Sequence, residues 1–348
     1  MATIPESTTV AIVGGGPVGL TCSIMLSLQG IDHVLCERQP DTSIHPKAVG
    51  LNQRTVEIFR KIGVEEEVMH QAAPPSMSGR TAWYTGFGPH GREICARYAW
   101  GGGPYQETYE AASPCRYALL PQIRLEPILK RRAIELNPDG IFFGYEVVGI
   151  SEANGNEVIV SFHKGKGPTA GPDLQLTAKY VIGSDGGRLL AEQLGINMAG
   201  EADVIDMVSA HVRAPISKHC PDPSIFLHWF ISPELGGSLK TGYLYHLGPY
   251  PIEPDTEEWM FACARLPFER TQPFTEEDML NRVHRTLQIP GLNVELLSLS
   301  HWHVNAIVAE SYRSSGGRVF LVGDAAHRIP PWVGEISSIY RCGFQANR

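Results

Sequence analysis

The chain has 348 residues, 43% of them hydrophobic and 19% charged, with a formal net charge of −8, which suits a globular protein with a real core and excludes a disordered one. No run of lysine and arginine forms a patch for a phosphate backbone, so nucleic acid is not an expected partner. The 7 cysteines are scattered without a C-x-x-C pair, as in a cytoplasmic protein with reduced thiols.

From Val10 to Leu28 no residue is charged, a run close to the length of a membrane helix. Gly14, Gly15, Gly16 and Pro17 interrupt it and no basic residue precedes it, so a strand, a turn and a buried helix are expected instead, and no membrane. Val10–Val13 reads as the strand, Gly14–Gly19 as the turn, and Leu20–Gln29 as a helix with Gly30 as its C-cap. His33–Glu37 reads as a second strand, which completes a βαβ unit of a parallel sheet.

His45–Arg60 is a polar loop leading into an amphipathic helix with Val56 and Phe59 inward. Residues 72–116 are rich in Gly, Pro and aromatics and weakly patterned, and Arg116–Leu136 reads as helix. Strands are expected at 141–150 and 156–163, joined by the hairpin turn Asn154-Gly155, with a loop at 164–173. Alternating stretches at Val204–Arg213, Ser224–Ile231, Gly242–Leu247 and Trp259–Leu266 predict an antiparallel sheet. Phe274–Leu287 predicts a helix with acidic residues in its first turn, where the dipole favours them.

Three segments carry most of the chemistry. In Gly14-x-Gly16-x-x-Gly19, one glycine turns the chain, one lets backbone approach a pyrophosphate and one lets helix pack on strand, so that the helix N-terminus faces the phosphates. Glu37, at the end of the next strand, suits a ribose hydroxyl. Gly323-Asp324 ends the apolar run Val319–Val322; its carboxylate can accept from a second ribose or cap the next helix. Between them, Gly183-Ser-Asp185-Gly186-Gly187 ends another apolar strand. His301-Trp302-His303 places two histidines on one strand face, but no third ligand has convincing spacing, so no metal is expected. No Gly-x-Ser-x-Gly elbow occurs.

Val10–Leu20, Tyr180–Gly187 and Arg318–His327, taken together, resemble the class A flavoprotein monooxygenases, the aromatic-ring hydroxylases with the p-hydroxybenzoate hydroxylase and phenol hydroxylase fold. The resemblance implies an α/β architecture. A Rossmann-like FAD-binding domain with a parallel sheet would comprise 1–190 and 301–348, and an antiparallel-sheet substrate domain 191–300, joined by 72–116. It implies FAD as cofactor, NAD(P)H as cosubstrate, and O2 and a small phenolic or polyketide-derived aromatic as reactants, in a fungal secondary-metabolite setting. A Baeyer–Villiger or epoxidising enzyme would use the same cofactor.

The cofactor set implied is Gly14, Gly16, Gly19, Glu37, Lys47, Gln122, Asp185, Asp324 and Pro331. Lys47, in His45-Pro-Lys-Ala-Val-Gly-Leu, stands where the family usually has an arginine on the FAD phosphates, and lacks its bidentate grip. Gln122 matches a family glutamine near the flavin, or simply opens a helix. The family's second arginine after Asp185 is missing. Val49 occupies the position of the phenol hydroxylases' catalytic aspartate, so no catalytic residue is assigned. Trp229, Tyr243, Tyr245 and His228 are candidates to line an aromatic pocket. After Gly334 the family's glycine-rich turn and long helix do not follow. Gly334-Glu335 can be encoded GGT GAG, a splice-donor sequence, so a retained intron is one expectation and a divergent short form the other; a catalytically inactive fragment is the corresponding alternative for function.

Overall fold

The computed structural model describes residues 3–153, 156–165, 174–253, 256–265 and 273–331. The Asn154-Gly155 turn, most of the 164–173 loop and the segment from Gly334 onward lie outside the described residues.

The chain builds two large sheets. The first segment gives β1 (Ser7–Val13), α1 (Pro17–Leu28) and β2 (His33–Glu37). Helix α1 begins at Pro17 rather than Leu20 because proline's fixed φ suits the first helical position, where its missing N–H is no loss. A short β3 (Gly50–Leu51) leads into α2 (Gln53–Ile62) and α3 (Glu65–Gln71). The Asn52 side chain caps α2 by accepting from Thr55 N–H, and Gly63 ends it at φ 79°. Residues 72–116, aperiodic in sequence, contain β4 (Arg80–Tyr84), β5 (Glu93–Tyr98) and α4 (Gln106–Ala112).

The helix expected from Arg116 starts only at Gln122. Ala118–Leu119 is a strand, β6, paired with β3, and Pro121 precedes α5 (Gln122–Leu136). The strand expected at 141–150 is two strands. Gly144, at φ 80°, breaks it into β7 (Ile141–Phe143) and β8 (Tyr145–Ala153), which lie at opposite edges of one sheet. Strands β9 (Glu157–Lys164) and β10 (Leu174–Gly183) follow, then the short α6 (Leu190–Gln193).

The remaining elements are β11 (Met198–Arg213), β12 (Leu227–Phe230), α7 (Ser238–Thr241), β13 (Gly242–His246), β14 (Glu258–Arg265), α8 (Glu276–Leu287), β15 (Glu295–Ala309), β16 (Val319–Leu321) and β17 (His327–Arg328). Thr275 and Asp278 close a capping box on α8, ahead of Met279, the first buried residue of its inner face.

The first sheet has the order β7-β2-β1-β10-β9-β8, with β16 also on β10. Strands β7, β2, β1, β10 and β16 run parallel, whereas β8 and β9 are antiparallel. Strand β10 is shared along its length: β9 takes residues 174–178 and β16 takes 181–183. Helices α1 and α5, through Leu20, Ile24, Leu125 and Leu129, share one apolar cluster with Val10, Ile12 and Leu35 of the sheet, and α2 and α3 add Val56, Phe59 and Val68 to it. Each such side chain contributes roughly 1.5–3 kcal/mol on burial.

The second sheet has the order β17-β15-β11-β14-β13-β12-β4-β5. It is not purely antiparallel, because β12 and β4 pair in parallel. One face packs Val208, Val212, Leu244, Phe261 and Cys263 against Met279, Val283 and Leu287 of α8. The opposite face carries Met207, Tyr243, Tyr245, Met260 and Ala262 and meets Val49 and Leu119 of the β3–β6 region. No helix among the described residues is long and apolar enough to cross a membrane.

Candidate cofactor and substrate site

Parallel pairing brings the three sequence motifs to one place. The carboxyl ends of β1, β10 and β16 are neighbours in the sheet, the position where open α/β sheets bind ligands. Backbone bonds fasten these ends: Gly14 N donates to Cys36 O at 2.9 Å, Ser184 N to Val13 O at 2.8 Å, and Val322 N to Gly183 O at 2.9 Å. The Ser184 hydroxyl also donates at 2.9 Å to Val13 O or Gly14 O. Arg328 donates to Gly187 O at 2.7 Å and Asp324 O at 3.3 Å, which ties the second motif to the third. Neither Ser184 nor Arg328 was singled out from the sequence, although both lie within or beside the quoted motifs.

The glycines divide the labour. Gly14 sits at φ 107°, and a Cβ there would lie 2.4 Å from Ser184 O; at Gly19 it would lie 1.9 Å from Gly14 O. These two are set by protein packing. A Cβ at Gly16 meets nothing within 4 Å. Gly16 is the N-cap of α1, no side chain caps that helix, and no acidic residue sits in its first turn. The α1 N-terminus therefore presents unsatisfied N–H groups to an open space, as anion binding requires.

Glu37 stands at the end of β2 with both oxygens engaged by backbone: Gly15 N donates to Oε2 and Gln39 N to Oε1, each at 2.7 Å. Asp324 lies in the turn after β16, open to the cleft yet closely surrounded. Desolvation raises its carboxyl above the ordinary range, and the positive fields of Arg328, His327 and Lys47 pull it back. Lys47 is thus brought to Asp324 although it comes from the loop before β3. That loop is pinned to the second sheet: Tyr245 OH donates to Lys47 O at 2.9 Å. His45 lies 2.7 Å from Ser298 Oγ and 3.0 Å from Ser209 Oγ. Its imidazole is held down to about 4 by burial first, then by His211 and Lys47.

Gln122 opens α5. Its N–H bonds Ala48 O at 2.9 Å, and its side-chain amide donates to Glu126 at 2.5 Å. Asp185 is committed to the turn that follows it: its carboxylate accepts from the amides of Gly187, Arg188, Leu189 and Leu190 at 2.8–3.2 Å. Pro331 is exposed at the last described position. His327 is buried with neither ring nitrogen bonded to a described residue.

Above this loop the second sheet presents aromatic rings. Trp229 packs on Tyr243 at 4.9 Å and on Trp83 at 6.4 Å. Tyr245 stacks on Phe226 at 5.7 Å, Phe226 meets Trp100 at 6.1 Å, and Trp100 stacks on Tyr117 at 6.2 Å. Of the four aromatic candidates, His228 does not belong here. It pairs with Leu244 in register, so strand alternation turns it to the α8 side, against Tyr84, Phe87 and Trp259. Among the described residues no group of three His, Cys, Asp or Glu side chains could hold a metal ion.

A glycine cradle with an open anion seat, a carboxylate at each of two strand ends and a lysine whose charge reaches the second of them form a donor set that fits FAD. The FAD binding domain family matches residues 7–335. The 4-methyl-5-nitrocatechol 5-monooxygenase of a Burkholderia species is 30% identical over 340 residues, 93% of this chain and 57% of that protein. The aklavinone 12-hydroxylase of Streptomyces purpurascens is 30% identical over 328 residues, 92% and 58% respectively. The solved structure of the flavin-dependent monooxygenase PieE in complex with FAD and substrate aligns with a TM-score of 0.84 at 31% identity, covering 97% of this chain and 56% of that one. The chain spans a little over half the length of these relatives. It belongs to the FAD binding domain family, with the fold of the FAD-dependent aromatic monooxygenases.

Proposed function

We propose that this chain forms the FAD-binding and substrate-facing parts of a monooxygenase that hydroxylates a phenolic or polyketide-derived aromatic ring with NAD(P)H and O2. The observation that carries the reading is the meeting, across the Lys47–Leu51 loop, of three dinucleotide-binding strand ends with an aromatic sheet face. The proposed cofactor unit is 1–190 with 301–348, and the proposed substrate unit 191–300 with 72–116.

The residues divide the work as follows. The α1 N-terminus beyond Gly16 receives the pyrophosphate, and Lys47 adds a positive charge to it. Glu37, already oriented by two amides, and Asp324 take the ribose and ribityl hydroxyls. Asp185 shapes the turn beside the cofactor through its four amide bonds. Gln122 and Pro331 border the flavin ring. When bound, FAD supplies the redox chemistry, taking reducing equivalents from NAD(P)H and activating O2. Tyr243, Tyr245 and Trp229 contribute a dry, ring-lined wall that excludes water and orients the substrate. Val49 stands where phenol hydroxylases carry an aspartate, so the share proposed for the described residues is positioning and desolvation.

The relatives named for nitrocatechol, and for aklavinone, favour an aromatic acceptor. The test is direct. The chain, purified and supplied with FAD, should be yellow and should consume NAD(P)H in the presence of a suitable phenol or polyphenolic quinone, giving a product heavier by one oxygen. A colourless folded protein would overturn the reading, and a ring-expanded lactone would replace hydroxylation by Baeyer–Villiger chemistry.

A further inference from the structure

The stretch from Ser43 to Leu51 follows the cofactor sheet's β2 in the chain, yet the second sheet grips it. His45 is the point of attachment. Its Nδ1 lies 2.7 Å from Ser298 Oγ and its Nε2 3.0 Å from Ser209 Oγ. The two serines stand on neighbouring strands, β15 and β11, where Ser209 pairs with Ser300 and His211 with Ser298. They are therefore diagonal neighbours on one sheet face, and the imidazole spans them with both nitrogens. Burial, then the charges of His211 and Lys47, hold the ring down to about 4, so at neutral pH it is uncharged and offers one N–H and one lone pair, a match for two hydroxyls. The stretch is anchored on the cofactor side as well. Ser43 N donates to Glu126 Oε2 at 2.7 Å, and Gln122 N to Ala48 O and Leu120 N to Val49 O, each at 2.9 Å. Within the loop, Ser43 Oγ donates to His45 O at 3.0 Å.

We propose that His45 is a positioning residue for the cofactor: by gripping Ser209 and Ser298 it fixes the backbone from which Lys47 reaches the FAD pyrophosphate. The inference rests on the cofactor reading above, in which Lys47 faces that group. Lys47 is exposed, two residues beyond the clamp, and its charge is felt at both His45 and Asp324. An arginine in its place would orient itself on a phosphate through its planar fork. A lysine ammonium is a point charge on a flexible stem, so where it lies depends on where its backbone is held. Tyr245 OH holds the residue from beyond, through Lys47 O at 2.9 Å, and His45 holds the approach to it. The cation that meets the cofactor is thus steadied by side chains of the substrate-facing sheet.

The test is FAD titration of the purified chain at low and at high salt, followed by flavin fluorescence. His45→Phe keeps a ring and removes both nitrogens. It should weaken FAD binding by about tenfold and flatten its salt dependence, because Lys47 no longer meets the phosphates. His45→Gln, which can still bond a serine, should fall between. Adding Lys47→Arg to His45→Phe should recover most of the loss, a coupling that a merely structural histidine would not show. If His45→Phe does not fold, Ser209→Ala combined with Ser298→Ala removes the same grip from the sheet side and carries the same comparisons. A loss with unchanged salt dependence and no rescue by arginine would overturn the positioning role. So would normal affinity in His45→Phe while Lys47→Ala still weakens FAD, and in both cases the cofactor reading stands. A Lys47→Ala variant that binds FAD as tightly as wild type would take Lys47 off the pyrophosphate and overturn the inference with that assignment. A wild-type chain that binds no FAD would overturn the functional reading itself.

Discussion

Gly16 and Gly19 belong to one motif but answer to different forces. At Gly19 a methyl group would drive into Gly14 O at 1.9 Å and Ser184 Oγ at 2.6 Å, whereas at Gly16 it would meet open space. Gly19→Ala should therefore cost about 2–4 kcal/mol of stability, as overpacking and displaced backbone do. Gly16→Ala should unfold within about 0.5 kcal/mol of wild type yet bind FAD at least several-fold more weakly, because its methyl stands where a pyrophosphate approaches. Urea titrations with flavin titrations separate the two; a Gly16→Ala protein that holds FAD normally would remove the cofactor from that seat.

Three histidines, His228 and His246 buried and His45 half-buried, give the molecule an acid limit. Burial holds His45 and His246 down to about 4 and His228 to about 3. The unfolded chain binds their protons near 6.5, so their contribution to stability is complete above that pH and is lost as pH falls toward 4. Each unit of depression corresponds to about 1.4 kcal/mol per histidine. The urea midpoint should therefore fall steeply between pH 6.5 and 4, and His228→Phe should make that slope shallower. A midpoint unchanged from pH 7 to pH 5 would contradict these assignments. At this scale spacing made Glu37 and the glycines legible in sequence. The positive φ of Trp100 was not, because its turn is fastened by Ala99 N to Gly79 O, a contact distant in sequence.

Among the elements, α6 depends on Asp185. Gly186 and Gly187, at φ 71° and 68°, curl the chain so that one carboxylate gathers four amides. Asp185→Ala should destabilise the protein by about 1–2 kcal/mol, the cost of losing a helix-capping acceptor, with Asp185→Asn intermediate. Thermal unfolding measures it, and a change in flavin affinity without a change in stability would instead assign Asp185 to the cofactor.

The elements that resisted reading have identifiable physical causes. Strand β5 is almost wholly exposed, so it lacks the alternation that marks a half-buried strand. Only Gly144 separates β7 from β8, and sequence does not say that the two will part to opposite edges. The start of α5 was readable at Pro121, whose ring disfavours helix in the residue before it, but the apolar run from Ala118 to Leu120 obscured it. By contrast β2, α2 and α8 were legible because caps, periodicity and burial agree.

At the scale of the whole molecule the chain visits its two sheets in alternation. It lays down β1 and β2 in the first, β4 and β5 in the second, β7 to β10 in the first, β11 to β15 in the second, then β16 and β17 in one of each. Strand β4 waits for β12, with Leu227 against Thr81 and Phe230 against Tyr84. Strand β10 waits for β16 to cover its last residues. During synthesis neither half can close before the other has emerged, so high contact order should make folding slow. Nor can either half be excised by cutting a single linker. We expect one calorimetric transition for the pair, and limited proteolysis that degrades the chain as a unit without releasing a stable flavin-binding half. Coupling of this kind gives the cofactor a lever on the far sheet: FAD bound at the strand ends should raise the melting temperature of the aromatic wall as much as that of its own seat, by linkage through a shared unfolding event.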